Sequence, residues 1–517
     1  MEDLIYLSKT HDPGKNKDLI KDYTGIDNIQ QAIEETNQLF NQYKKEAPAI
    51  IPPFRGLQKL MGLFLIKSAG IQDREWSHTP AVSEGTVYPE WKLLLDQEYQ
   101  KLQNMIKREV DVTEFGAKGD GMTDCTEAFR KALGSGHVKV IVPEGIFVTR
   151  GIKLPSWSII TGKGKGKSVI KLHPQSSRSA WVITNKSHFK GNRNIAVEHL
   201  SLDWNVERLP QAIRTSAGNN RSSCLLFANV TYGWVKHTEG INPGLHCFDV
   251  SSTVYTYFGD GTRARGGSRY IWLDHLNGYG FGDDGITTHH SDDILISNSH
   301  MCDPSGRAHK KGSSNSNGIE VDDGSRNVWL LNNSTARCFG GVEIKAHHNA
   351  SAAANVHIIG HLSINDNRSY NFRHIGHHKA GDPESLTAYN IKATNLVSIA
   401  PRYTDLYSES KPRGMVISGY RNVVVNGFTL IGDPEYDYHG EPVISVQYRA
   451  RNIVLNSIEM SAFKTAGKYI KVFGGKQRAD SVYIKNIKTD IGETPILAGK
   501  EIEDITIKNV QSRALEI

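Results

Sequence analysis

Gly285-Ile286-Thr287-Thr288-His289, Gly318-Ile319-Glu320-Val321-Asp322 and Gly341-Val342-Glu343-Ile344-Lys345 are three versions of one pattern. Each opens on Gly and then alternates apolar and polar positions, the period-two signature of a half-buried strand. Stacked in this register, Ile286, Ile319 and Val342 point inward together, as do Thr288, Val321 and Ile344. The outward positions form two columns, Thr287, Glu320, Glu343 and His289, Asp322, Lys345. In a parallel coil, equivalent side chains on adjacent turns stand about 4.8 Å apart. Carboxylates, a His and a Lys are therefore expected in one small patch of surface.

The three segments belong to a longer series. A polar residue followed by Ile or Val recurs at Asn194, Tyr270, Asp293, Asn327, Asn355, Asn390, Asn422, Asn452, Ser481 and Asp504. From Ile271 on, the apolar anchors are 23, 34, 28, 35, 32, 30, 29 and 23 residues apart. Repeats of this size bury their apolar strands against the next turn, as in a solenoid. Helical periodicity is lacking between them, and so are the tight Asn-Gly hairpins that propeller blades need. The expected fold is all-β, a right-handed parallel β-helix over residues 111–517. The recurring Asn suits either an inward ladder at a coil corner or an exposed turn.

Residues 1–110 read differently, as a small helical module for attachment and oligomerisation. A helix is expected over Asp27–Lys45, with Ile29, Ile33, Leu39, Phe40 and Tyr43 on one face and Pro48, Pro52 and Pro53 ending it. A second is expected over Pro89–Arg108, where Trp91, Leu95, Leu102 and Met105 fall near heptad spacing. That helix either packs on its own chain or forms a seam aligning a homotrimer.

The net charge of +6, from 61 Lys and Arg against 55 Asp and Glu, is too balanced for a nucleic-acid binder, yet it is compatible with a polyanionic carbohydrate. Five scattered Cys without a CxxC pair support neither a disulfide framework nor a zinc finger. Met1–Lys15 has no secretory pattern and no run suits a membrane span, so folding in a reducing cytosol is expected. Release by lysis, carried on a virion, reconciles this with a surface polysaccharide partner.

For chemistry, Glu320 and Glu343 at about 5 Å match a retaining glycosidase pair, with one carboxyl raised by the other. Asp322 would be held ionised by Lys345, with His289 as proton shuttle or phosphate contact. Asp283 and Asp284, in Gly282-Asp283-Asp284-Gly285, are further candidates for catalysis or for Ca²⁺ or Mg²⁺; such a tetrapeptide is also an ordinary turn. Eleven of the 21 His lie between His289 and His378, with no zinc spacing. His347, His348 and His374, with Lys310, Lys311, Arg337, Arg373 and Lys379, would line a groove for phosphates or acidic sugars. His357 and His361 alternate along a strand. Tyr370, Tyr403 and Tyr407 are candidates for stacking on sugar rings. Gly162-Lys163-Gly164-Lys165-Gly166 is followed by a strand pattern and reads as a turn rather than a phosphate loop.

Val112-Thr113-Glu114-Phe115-Gly116-Ala117-Lys118-Gly119-Asp120-Gly121-Met122-Thr123-Asp124 resembles the opening motif of the pectate-lyase-like β-helix superfamily. The resemblance implies a capping helix at Thr126–Leu133 and first coils at Val140–Val148 and Leu154–Leu172. With the helical N-terminal module, the chain resembles the pre-neck appendage and tailspike proteins of small phages that infect Gram-positive bacteria. That implies a trimer, contacts with other virion tail or neck proteins, and binding and degradation of teichoic acid or another polysaccharide. It also implies a removable C-terminal assembly segment. The chain ends at Asp504–Ile517 on a strand, so a cap, a partner or such a segment is expected there. Gly282-Asp283-Asp284 is similar to the Gly-Asp-Asp of polygalacturonases, whose acidic pair serves hydrolysis, although no Gly-His-Gly follows. Alternatives are a non-catalytic adhesin, and a lyase in which Lys345 or an Arg abstracts a proton while Ca²⁺ neutralises a carboxylate.

Overall fold

A computed structural model describes residues 5–46, 65–67, 78–80, 87–257, 259–348, 350–379, 381–491 and 495–512. The apolar anchors fall into a single column. Ile271, Ile294, Val328, Val356, Ile391, Val423, Ile453, Val482 and Ile505 are parallel register partners on successive turns. The coil is the expected right-handed parallel β-helix. Between Ile195 and Ile505 one turn carries no apolar anchor: Gly233 stands between Ile195 and Ile271. A Cβ there would meet Ile271 Cδ1 at 2.9 Å and Phe227 at 3.0 Å, so its neighbours already fill that space.

The polar residue ahead of each anchor has a backbone reason. Asn194, Tyr270, Asp293, Asn327, Asn355, Asn390, Asn422, Asn452 and Ser481 all have φ between 53° and 67°, the left-handed region that Asn and Asp tolerate best among residues with a Cβ. Their amides also stack. Asn390 donates to Asn355 at 2.8 Å, Asn422 to Asn390 at 2.9 Å and Asn452 to Asn422 at 3.3 Å. The ladder is neither inward nor exposed. It lies on the outside of the coil and is roofed by the N-terminal segment, where Asn422 exchanges hydrogen bonds with the backbone of Lys45.

Among the described residues, two long parallel sheets, of 21 and 12 strands, run along the coil. The 12-strand sheet contains β1 (Phe248–Ser251), β2 (Ile286–Thr288), β3 (Asn317–Val321), β4 (Gly340–Ala346), β5 (Arg368–His374), β6 (Arg413–Ser418) and β7 (Ile444–Gln447), paired in that order. Gly stands at the entry of β2, β3 and β4 because the turns close tightly there. A Cβ on Gly285 would sit 2.5 Å from Gly318 O, and one on Gly318 would sit 2.2 Å from Thr335 Cγ2.

Among the described residues, four α-helices decorate the coil: α1 (Asn16–Thr24), α2 (Ile29–Tyr43), α3 (Lys92–Met105) and α4 (Thr126–Leu133). The last covers the first coils with Ala128, Phe129, Ala132 and Leu133, and Asp124 caps its start through the Thr126 amide at 3.1 Å. The other three lie along the flank of the 21-strand sheet. Its outer face there is apolar. Trp234, Trp272, Leu295 and Trp329 form a column that receives Leu95 and Leu102 of α3 together with Ile33 of α2. Leu39 and Phe40 pack on Val424 and Val454, and Ile20 on a patch that includes Leu362 and Val397. The two heptad-spaced leucines thus pack within their own chain, and each buried Leu or Phe contributes roughly 1.5–3 kcal/mol. Pro48, Pro52 and Pro53, and the chain after Ser512, lie outside the described residues. Gly162–Gly166 leads into the strand Ser168–Leu172, as a turn does.

Candidate active site

The register of the 12-strand sheet sets one outward column: Asp249, Thr287, Glu320, Glu343 and Asn371, from β1 to β5. Lys345 and Arg373 pair in the neighbouring column. His289 and Asp322 follow directly after β2 and β3, their closest nitrogen and oxygen 3.7 Å apart. The column faces outward but is not surface. Asp322 and Glu343 are 0% exposed and Glu320 and Lys345 3%. Loops fold over the sheet. Tyr255 sets its ring edge on His289, centroids 4.6 Å apart, and its hydroxyl donates to Asp323. The rim consists of groups that keep some solvent: Asp283, His309, His347 and Arg373.

Each carboxylate has a distinct charge environment. Glu320 accepts from Lys345 Nζ at 2.6 Å, Asn317 Nδ2 at 3.0 Å and Thr287 Oγ1 at 3.2 Å. Burial pushes Glu320 up, but three donors on its oxygens make the ionised form the one these contacts are built around. Glu343 accepts from Arg373 Nε at 2.6 Å and Asn371 Nδ2 at 2.8 Å. Burial works against its ionised form, and the Arg373 and Lys345 cations outweigh it and hold Glu343 below the usual range. For Asp322, burial is likewise overcome by Lys345 and by His347, whose Nδ1 is 3.3 Å away, so the carboxyl lies well below its ordinary value. Both Asp322 oxygens are buried without a hydrogen-bond partner.

The adjacent acids Asp283 and Asp284 are driven apart. Burial opposes ionisation of Asp283, but His246 and His309 overcome it and take its pKa far down; His309 Nε2 is 2.8 Å from Oδ1. Asp284 is pushed well above the carboxylate range by burial first, then by the charges of Asp283 and Glu320. Its Oδ1 accepts from Asn317 N at 2.9 Å and Nδ2 at 3.0 Å. His246 would be lowered by burial, but Asp249 and Asp283 raise it to about 9. Lys345 is raised well above its usual value, burial being outweighed by Glu320 and Asp322. It is therefore held protonated and is not a free base, against the expectation of a lyase built on Lys345.

His246, Asp283 and Asp284 bring ligand-type atoms within 4.8 Å of one another, as do His289, Glu320 and Asp322, and Asp322, Asp323 and His347. Hard cations take six or more oxygens. Here each group includes an imidazole, and the Lys345 ammonium already stands 2.6 Å from Glu320 and 3.8 Å from Asp322. These residues do not fit Ca²⁺ or Mg²⁺.

Several expected contacts lie elsewhere. Arg337 forks onto Asp303 at 2.5 and 2.8 Å and donates to Leu7 O, so it ties down the N-terminal segment. His374 is fully buried between Ser385 Oγ and Ala350 O, at 2.7 and 3.0 Å, and burial lowers it to about 4. His348 is exposed and lies against Gly376. Tyr370 is a core residue whose hydroxyl donates to His361 O and Val397 O, so it cannot stack on a sugar. His357 and His361 are buried on their strand. Lys310 and Lys311 line a cleft of about 460 Å³ with Arg214, Arg307 and His309. Arg373 and Lys379 line another of about 510 Å³ with Arg368. Sequence reasoning missed His246, Asp249, His309, Asn317, Asp323 and Asn371. Phe248-Asp249-Val250 repeats the alternation one turn earlier, but Cys247 stands where Gly opens the other strands.

Comparison with known proteins agrees with this architecture. A family profile described as Rhamnogalacturonase A/epimerase, pectate lyase-like, matches residues 109–343. The phage-related protein YobO of Bacillus subtilis strain 168 is 48% identical over 446 residues, 86% of this chain and 55% of that protein. The pre-neck appendage protein of Bacillus phage phi29 is 43% identical over 406 residues, 78% of this chain and 46% of that protein. This chain therefore spans about half the length of the curated relatives it matches. The crystal structure of an N-terminal fragment of phi29 gene product 12 superimposes with a TM-score of 0.70 at 40% identity, covering 81% of this chain and 68% of the fragment. Among the described residues, no helix is long and apolar enough to cross a membrane. With 68% of that solved phage fragment covered at 40% identity, and pre-neck appendage proteins among its relatives, the chain belongs to the phage pre-neck appendage family.

Proposed function

We propose that this chain is the part of a virion appendage that binds an anionic polymer of the bacterial surface and cleaves it by acid–base hydrolysis. The observation that carries the reading is the placement of Asp283 and Asp284 beside a buried carboxylate cluster, with Asp283 2.8 Å from His309 and Asp284 held by Asn317. Adjacent carboxyls whose environments push them apart provide an ionised base and a protonated acid at one pH. Asp283 takes a proton from the attacking water as the new bond to the polymer forms. Asp284 gives its proton to the leaving alcohol oxygen. Lys345, Glu320 and Asp322 position this pair and set its charge, while Glu343 orients Arg373. Teichoic acid, the polymer that the family resemblance implies, is the first substrate, and a trimeric assembly with other neck proteins is part of the same proposal.

The test incubates wild type, Asp283→Asn, Asp284→Asn and Glu343→Gln with purified wall teichoic acid and follows soluble fragments. Loss of general acid or base catalysis lowers kcat roughly 10²–10⁴-fold in the two Asp variants. Undiminished cleavage by both would sink the assignment. Cell binding without fragments from any variant or the wild type would make the chain an adhesin, and ultraviolet-absorbing unsaturated products would make it a lyase.

A further inference from the structure

We infer that the cleft beside Glu343, floored by Arg368 and Arg373, is an anion subsite that seats one phosphodiester of the bound polymer next to the cleavage point. This rests on the preceding reading of the carboxylate cluster.

The charges in the cleft do not balance. Arg373 is paired with Glu343 at 2.6 Å, and nearby Arg413 with Glu441 at 2.6 Å. Arg368 has no carboxylate partner among the described residues. Its Nε is buried without a hydrogen bond, and its guanidinium carbon lies 5.5 Å from the Phe339 ring centre. Burial, and then the charge of Arg373, lower Arg368 to about 10, so it stays charged at neutral pH, and Glu343 acts on it only from beyond ion-pair distance. An Arg held this way costs stability unless an anion completes it. The cleft in front of it holds about 510 Å³.

The donors point to a tetrahedral oxyanion. A planar carboxylate is satisfied by one guanidinium fork. Here the lining comes from different directions: Arg368 and Arg373 on β5, Ser418 on β6, Gln447 on β7 and Lys379 on the loop after β5. Gln447 Nε2 donates to Ser418 Oγ at 3.0 Å, which orients that pair. Asn371, two turns from Glu320 in the same column, joins the cleft to the acidic cluster at roughly 10 Å. A polymer laid along the face would place an anionic group here while an adjoining bond meets Asp283 and Asp284.

The test uses the full chain and Arg368→Gln. Calorimetric titration with sn-glycerol 3-phosphate and with inorganic phosphate should give saturable binding that weakens at least tenfold in the variant, with D-galacturonate binding more weakly than either. Equal phosphate binding by variant and wild type, or preference for galacturonate, overturns the subsite. Should Arg368→Gln melt early, the exposed Lys379→Gln is titrated instead, with a smaller loss expected and the same overturning result. On cleavable polymer, Arg368→Gln should raise KM and leave kcat near wild type; an unchanged KM overturns the subsite while leaving the cleavage reading intact. Phosphate binding that depends on Arg368 in a protein that cuts nothing leaves the subsite standing and removes the cleavage reading.

Discussion

His246 shows how one side chain sets the chemistry of its neighbours. Its Nδ1 is 3.0 Å from Asp249, and its Nε2 lies 3.8 Å from Asp283 and 3.5 Å from Asp284. His289 and His309 also face this group, from the residue after β2 and from a loop. A pKa raised from 6.5 to about 9 is a stability contribution. It is fully present below pH 6.5 and lost as pH rises through about 9, on the order of 3 kcal/mol. The thermal midpoint of wild type minus that of His246→Asn should therefore shrink between pH 6.5 and pH 9.5; a constant difference would refute the charged imidazole. Asp284, held well above the usual carboxylate range by burial, is the proton holder, so kcat should fall on the alkaline side as that proton is lost. Asp284→Asn would leave no such limb, which a pH–rate profile reads directly.

At the scale of elements, the coil was legible and its clothing was not. Ile271 to Ile505 announced themselves because inward positions must be apolar on every turn, and the residue before each anchor must accept a left-handed backbone. Gly233 hid its turn because Ile271 and Phe227 occupy the space of its missing side chain. The role of the helices was hidden because their partners are outward Trp234, Trp272 and Trp329, which a strand pattern alone cannot distinguish from misplaced core. Leu95→Ala removes a fully buried side chain from this contact and should cost about 2–5 kcal/mol. Hydrogen exchange should quicken over residues 92–105 while the coil amides near Val356 and Ile391 keep their protection. Uniform loss of protection would mean that α3 and the coil are one cooperative unit. The ladder from Asn355 to Asn452 leads to a sharper test, because Asn390→Ala breaks two hydrogen bonds and leaves a Cβ in the left-handed region. Asn390→Gly keeps the backbone freedom and should recover part of that loss.

Over the whole molecule, the site lies in the contact of consecutive turns, and that explains which of its residues could be read. Glu320 and Glu343 were found as neighbours because register alone makes them so. Arg337 and His374, close to them in sequence, point to the N-terminal segment and to a buried loop, and sequence distance carries no information about which face a corner residue takes. Burial of the column was equally invisible, since the covering residues Tyr255 and His309 come from long loops without a repeat. The two basic clefts also escape the near-neutral total of +6, for they concentrate Arg214, Arg307, Lys310 and Lys311 on one side and Arg368, Arg373 and Lys379 on the other. Clefts lined by one sign of charge focus the field on an oppositely charged polymer and lose that pull to added salt. Raising ionic strength from about 0.05 to 0.5 M, where the Debye length falls roughly threefold, should therefore raise KM for an anionic polymer about tenfold and change kcat little. Lys310→Gln combined with Lys379→Gln, one charge from each cleft, should start from a higher KM and show a shallower salt slope. Initial-rate measurements at four salt concentrations decide it: parallel slopes for variant and wild type would mean that the clefts do not hold the polymer together.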